Sequence, residues 1–190
     1  MTRERGRFIA TEPLGTDGEA GEARVWEAVC RAFAARSCLG YWRYPFFSDT
    51  TRKEPDILIA DRLFGLIIIE VKAITIDRIL GISGHQWQFQ NFYTTASHPY
   101  QQAENQLYAL LRYCDVEPQL QRQVSARAMV ALPAITRQQW QERQFDRLPS
   151  SPPILFAECL DNLVAEIDRF PLLQRGNPLT ENFGFQAPSF

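Results

Sequence analysis

Asp56, Glu70 and Lys72 are two carboxylates and an ammonium whose spacing can bring them together. Asp56 opens one β-rich run, Asp56–Ala60. Glu70 and Lys72 lie toward the end of the next, Leu66–Ile74. Asp61–Gly65 between the runs suits a five-residue hairpin loop. Such a hairpin pairs Ala60 with Leu66, Leu58 with Ile68, Asp56 with Glu70 and Glu54 with Lys72. These positions share parity and therefore one face of the sheet. Side chains directly opposite one another stand roughly 4.5–5.5 Å apart at Cβ. Two carboxylates so placed repel, and the fold needs something to neutralise them: a bound proton, the ammonium of Lys72, or a divalent cation.

A hard cation such as Mg²⁺ or Mn²⁺ takes carboxylate, carbonyl and water oxygens. Asp56 and Glu70 can supply two ligands and the main-chain carbonyl of Val71 a third, with water and a substrate phosphate completing the shell. The cation would then act as a Lewis acid on a phosphoryl oxygen and lower the pKa of a bound water. Lys72, on the same face, can orient that water or hold the phosphate. The competing reading of the same residues is a structural ion-pair cluster with no metal.

Several elements must hold these groups in place. Thr16-Asp17-Gly18-Glu19 has the form of a capping box and predicts a helix to about Arg36. Val25, Trp26, Val29 and Phe33 fall on its buried stripe, and Glu22 shares that stripe, at the edge of the core or aimed at something positive. Tyr41–Phe47 reads as a strand, with Trp42, Tyr44 and Phe46 in the core or on the sheet surface. Leu66–Ile69 is continuously apolar, as expected of a central strand covered on both faces. Arg78–Ile82 and Gln86–Phe92 form a smaller hairpin around Ser83–His85. Pro99 starts a second helix to about Tyr113, its buried stripe running through Ala103, Leu107 and Leu111. Arg127–Leu132 and Ile154–Phe156 are short strands. Thr136–Phe145 and Asp161–Arg169 are helices, Asp161 being a candidate N-cap. The order describes an α/β sandwich around a mixed sheet.

The bulk properties bound the rest. A chain of 190 residues with 45% hydrophobic and 22% charged residues suits one domain with a full core, and excludes a disordered chain. The formal net charge of −2 means that any basic surface must be local. There are 18 arginines and only two lysines, Lys53 and Lys72, which draws the eye to Lys72 because lysine, unlike arginine, is tuned by burial. No two of Cys30, Cys38, Cys114 and Cys159 form a C-x-x-C pair, so reduced, mostly buried thiols are expected. His85 and His98 are the only histidines, so a metal would rest on oxygen ligands. The longest apolar run, Ala128–Leu132, is too short to cross a bilayer, and the N-terminus lacks the apolar stretch of a signal peptide, so a cytoplasmic protein is expected. Arg3, Arg5 and Arg7 offer a basic arm interrupted by Glu4. Arg112, Arg122 and Arg127 are candidates for a phosphate-binding face.

Pro55-Asp56, thirteen intervening residues and Glu70-Val71-Lys72 resemble the PD-(D/E)XK nuclease pattern. The chain is further similar to the NERD, or nuclease-related, branch of that superfamily. Gly21-Glu22 matches the pair that opens the first helix there. Glu54-Pro55-Asp56 matches its Glu-x-Asp, Trp87 its hairpin tryptophan, and His98-Pro99-Tyr100-Gln101-Gln102 its Asn-Pro-x-x-Gln with histidine replacing asparagine. The resemblance runs from about Glu19 to Leu111. It implies a restriction-endonuclease-like αβββαβ core with a mixed central sheet flanked by helices. It implies Mg²⁺- or Mn²⁺-dependent phosphodiester hydrolysis, usually of DNA, in nucleic-acid processing or defence. Asp56 and Glu70 would be the main metal ligands, aided by Glu22 directly or through water. Lys72 would be the catalytic lysine. Gln102 would contact the lysine, the water or a phosphate. The expected layout is an N-terminal arm (1–15), the nuclease-like domain (16–173) and a tail or linker (174–190). The alternative reading is a non-catalytic nucleic-acid-binding or docking module, as the N-terminal part of a helicase-like protein or beside such a module.

Overall fold

The structure, a computed structural model of the chain, describes residues 5–13, 20–48, 51–90, 96–149 and 151–179. Along the chain run β1 (Arg7–Ala10), α1 (Ala20–Phe33), β2 (Cys38–Trp42), β3 (Phe46–Ser48), β4 (Thr51–Lys53), β5 (Ile57–Asp61) and β6 (Gly65–Val71). β7 (Ile79–Ser83), β8 (Gln86–Phe89), β9 (Ala96–Ser97), α2 (Pro99–Val116), β10 (Ala126–Leu132), α3 (Arg137–Glu142), β11 (Ile154–Phe156) and α4 (Leu163–Arg169) follow. The expected αβββαβ core is α1, β2, β5, β6, α2 and β10.

The six-stranded sheet has the order β1-β2-β5-β6-β10-β11. β2, β5 and β6 form an antiparallel meander, while β6, β10 and β11 run parallel, as does β1 beside β2. The sheet is therefore mixed. Period-two alternation divides its two central strands between separate cores. Ile57, Ile59, Ile67 and Ile69 join Val25, Val29 and Phe33 of α1. Leu58, Ala60, Leu66 and Ile68 join Ala103, Leu107 and Leu111 of α2. Burial on both faces explains why Leu66–Ile69 carries no polar residue.

Two local features fix the ends. Gly65 closes the β5–β6 hairpin at φ +75°, and a Cβ there would lie 2.0 Å from the Ser125 carbonyl oxygen. Thr136 caps α3 in a reciprocal box with Gln139, as the sequence predicts. The Thr16–Glu19 box expected for α1 lies outside the described residues, as do Arg3 and Glu4 of the basic arm.

The structure departs from the sequence expectations at several places. The strand expected over Tyr41–Phe47 breaks in two, because Arg43 turns left-handed at φ 52° and Pro45 follows. Its second part, β3, pairs with β4 in a separate hairpin, leaving Trp42 and Phe46 buried as expected. Arg7–Ala10 is not a loose arm but a parallel edge strand, with Phe8 edge-on to Trp26. Asp161 does not cap α4; a 3₁₀ turn over Ala157–Asn162 leads into it. Residues 174–179, expected to leave the domain, pack onto it. Ala126 donates its N–H to the Gln174 carbonyl, Leu179 donates to the Arg62 carbonyl, and the Leu179 side chain is buried in the α2 core. All four cysteines are free thiols. Among the described residues no helix is long and apolar enough to cross a membrane.

Candidate metal centre

The observed register agrees with the expected one: Ala60 pairs with Leu66 and Leu58 with Ile68. The ladder ends at Ile57–Ile69, one step short of Asp56 and Glu70. Past that end Asp56 is held by other means. Its Oδ2 accepts the Val71 N–H at 2.7 Å, and its carbonyl accepts the Arg43 N–H at 2.9 Å. Asp56 is thereby clamped between the ends of β2 and β6.

Glu70 is 1% exposed, and its Oε1 accepts from Lys72 Nζ at 2.7 Å. Its Oε2 is buried without a hydrogen-bond partner. An orphaned carboxylate oxygen is costly, and its presence calls for a proton or a cation at that spot. Glu54 does not meet Lys72 as the extrapolated register predicted. It pairs with Arg52 instead, because the ladder stops before Pro55 and Lys72 turns back to Glu70.

The electrostatics follow from this packing. The Asp56 carboxyl is pushed up to about 8, first by burial, then by the charge of Glu70, against the opposing Val71 N–H; Glu22 adds to the rise and Lys72 opposes it. Glu70 is also raised, by burial first, with the charge and hydrogen bond of Lys72 opposing and Glu22 adding to the rise. One ammonium cannot balance two carboxylates packed together, one buried and one half-buried, so without a cation the pair favours retaining a proton.

Glu22 stands at the fringe. Gly21 places it there: a Cβ on Gly21 would meet the Ala73 Cβ at 2.4 Å, so only glycine lets α1 start against the segment that follows Lys72. The Glu22 carboxylate takes a hydrogen bond from Arg43 Nη2 at 2.9 Å, and the same guanidinium reaches Glu12 at 3.2 Å. Among the described residues no three His, Cys, Asp or Glu side chains are gathered as a ready-made ligand set. Asp56 and Glu70 are the core of the site, and Glu22 is close enough to act on both by charge.

The link from Val116 brings the chain back to Ala126, which pairs with Leu66 at the far end of β6. The first turns of α2 therefore lie toward the Glu70 end. Gln102 is exposed there, forms no hydrogen bond to Lys72, and lines a cleft of about 490 Å³ with Arg52, Lys53, Glu54 and His98. His98 precedes α2 without a side-chain capping bond. One turn on, Gln106 is buried; its Nε2 donates to the Glu54 carbonyl at 3.3 Å and its Oε1 has no partner. The sequence reading missed it, although its place beside Ala103 and Leu107 on the buried stripe was a usable signal. Arg43 was missed too, and its left-handed turn had no sequence cue. Of the arginines expected on a phosphate-binding face, Arg127 is instead buried over the Phe64 ring, with its guanidinium pointing to the Phe170 and Phe64 carbonyls.

The residues present fit a hard divalent cation: every donor is an oxygen, one is orphaned in the interior, and both carboxyls are raised, by burial first, beyond what Lys72 offsets. Fold and site together define a restriction-endonuclease-like α/β domain of the PD-(D/E)XK-like superfamily. The chain belongs to the nuclease-related domain (NERD) family, whose model matches residues 17–133, more than half of its length. No curated protein and no solved structure gives a match.

Proposed function

We propose that this domain is a Mg²⁺- or Mn²⁺-dependent nuclease that hydrolyses phosphodiester bonds of DNA. The observation that carries the proposal is the Asp56–Glu70 pair, half-buried and buried respectively, with an orphaned Glu70 oxygen beside Lys72, in a domain of the nuclease-related family. Asp56, Glu70 and the Val71 carbonyl would hold the metal, which supplies Lewis acidity and an activated water when bound. The protein's own groups do the rest. The Val71 N–H fixes the Asp56 carboxylate against the strand end. Lys72, held by Glu70, is placed to grip a non-bridging phosphate oxygen or to orient the attacking water, and its half-buried ammonium adds positive charge where the transition state gains negative charge. Glu22 tunes the negative potential of the pair from α1.

Incubating the protein with supercoiled, linear and single-stranded DNA, with and without Mn²⁺, tests the proposal. Cleavage should require metal and should disappear in Asp56→Ala and Lys72→Ala proteins that still fold. Cleavage that persists unchanged in both variants refutes it.

A second reading is favoured by the closed ion pairs Glu70–Lys72 and Glu22–Arg43. On that reading the domain binds nucleic acid or docks beside a helicase-type module without hydrolysis. It predicts binding that survives Asp56→Ala and no metal-dependent cleavage by any form.

A further inference from the structure

The cleft beside Gln102 does not end at the first turns of α2. A second cleft of about 520 Å³ shares Lys53 and Asn105 with it, so the two form one groove between the β3–β4 hairpin and α2. The helix wall is largely polar: Gln101, Asn105, Tyr108 and Arg112 recur at three- and four-residue spacing along one flank, with Gln102 beside Gln101 and Leu111 beside Arg112. The hairpin wall carries Arg52 and Lys53. Two acids also line the groove. Glu54 is paired with Arg52, while Asp115 accepts the backbone N–H of Arg122 at 2.8 Å and keeps its charge. Lys53 and Arg112 together outweigh Asp115 along the open length. Arg112 is set in place by donating to Ser48 Oγ, at the end of β3, at 2.8 Å.

One aromatic ring accompanies these cations: Tyr108, in the groove wall between Asn105 and Arg112, is 43% exposed. A polar slot with local positive charge, on a chain whose net charge is −2, fits a polyanion. An exposed ring beside cations fits an unpaired base, whose face is free to stack; in a duplex that face is covered. The groove also reaches Glu54, two residues before Asp56.

We infer that this groove guides a single nucleic-acid strand toward the Asp56–Glu70 centre, with phosphates against Lys53 and Arg112 and a base on Tyr108. The inference rests on the nuclease reading for its direction, and its test is separate. Fluorescence anisotropy measures binding of a labelled oligothymidine of about 20 nucleotides and of a duplex of equal length, in EDTA, across about 50–200 mM salt. The single strand should bind about tenfold more tightly than the duplex. The Lys53→Gln/Arg112→Gln protein should bind the single strand about tenfold more weakly, with the slope of log affinity against log salt reduced by about 1.4. Tyr108→Ala, at an exposed ring, should weaken binding about fivefold or more, and keeps the test decisive if loss of the Arg112–Ser48 bond unfolds the hairpin. Arg169→Gln, a cation on α4, should bind as wild type. Unchanged binding in the groove variants, a preference for duplex, or no binding by the wild type overturns the inference. Mn²⁺-dependent cleavage lost in Asp56→Ala, measured in parallel, reports on the nuclease reading alone. Cleavage with groove-independent binding removes the groove and keeps the nuclease; groove-dependent binding without cleavage does the reverse.

Discussion

Replacing Asp56 by asparagine should stabilise the metal-free protein, and the gain should depend on pH. Asparagine keeps an oxygen to accept the Val71 N–H but removes the charge that burial and Glu70 oppose. The Asp56 carboxyl sits up to about 8 in the folded state, against about 4 in an unfolded chain. A raised folded pKa contributes stability that is fully present below the unfolded value and lost as pH rises through the folded one. Wild type should therefore lose stability between about pH 4 and about pH 8, while the asparagine variant lacks this loss. Four pH units correspond to roughly 5 kcal/mol at 1.36 kcal/mol each. Water reaching the half-buried side chain reduces that to about 3 kcal/mol. For a chain of this length the difference is roughly 6–12 °C in melting temperature. Thermal unfolding of both proteins in EDTA, from pH 4 to 8.5, measures it; groups outside the Asp56–Glu70 pair titrate alike and cancel in the comparison, so the difference reports on the pair. Under the proposed metal role excess Mn²⁺ should reverse the order, because a ligand that binds the folded wild type more tightly than the variant adds more stability to it. A variant no more stable than wild type at pH 8 in EDTA, or an offset that does not change with pH, would refute the reasoning.

Three further substitutions probe the surroundings. Lys72→Met strips the partner from a 1%-exposed carboxylate; it should cost about 2–3 kcal/mol at pH 8 in urea unfolding, and less toward pH 5 as Glu70 takes up a proton. Glu22→Gln breaks a half-exposed pair with Arg43, so stability should change by about 1 kcal/mol or less while Mn²⁺-dependent cleavage falls roughly tenfold. Gly21→Ala puts a methyl group 2.4 Å from the Ala73 Cβ; pushing α1 off the site should cost about 1–3 kcal/mol by calorimetry and lower cleavage, whereas an alanine at Gly81, where a Cβ meets nothing nearer than 4.0 Å, should leave cleavage unchanged.

The central hairpin was legible because two independent signals agree there. A turn ending in glycine sets the register, and parity then decides which side chains share a face. The same logic failed one step past the ladder. Pairing rules describe strands, whereas Glu54 and Lys72 lie where the strands have ended and each charge takes its nearest partner. Strand β1 escaped notice because a four-residue edge strand carries too little pattern to separate from a basic arm. Arg43 was unreadable for a different reason. Its left-handed backbone is imposed by tertiary contacts, and nothing local in Trp42-Arg43-Tyr44 requires it. Gln102 drew attention through its motif, but packing of α2 selected Gln106, one turn on, for burial against the Asp56 segment.

Arg43 shows how the site meets its own cost. A left-handed non-glycine residue is strained by about 1–2 kcal/mol, and such strain persists only where the surroundings over-determine it. Here they do. The Arg43 N–H holds the Asp56 carbonyl, its own carbonyl accepts from Thr11 Oγ1 at 2.6 Å, and its guanidinium joins Glu12 to Glu22. One residue thus ties the ends of β1, β2 and β5 to the start of α1. Relaxing its backbone would loosen Glu22 and one of the two holds on Asp56, the other being the Val71 N–H, and would ease the repulsion between the carboxylates. Backbone strain and charge repulsion therefore push the same way. The all-buried strands β5 and β6 supply the rigidity that withstands both, and that is why two carboxylates stay close although they repel.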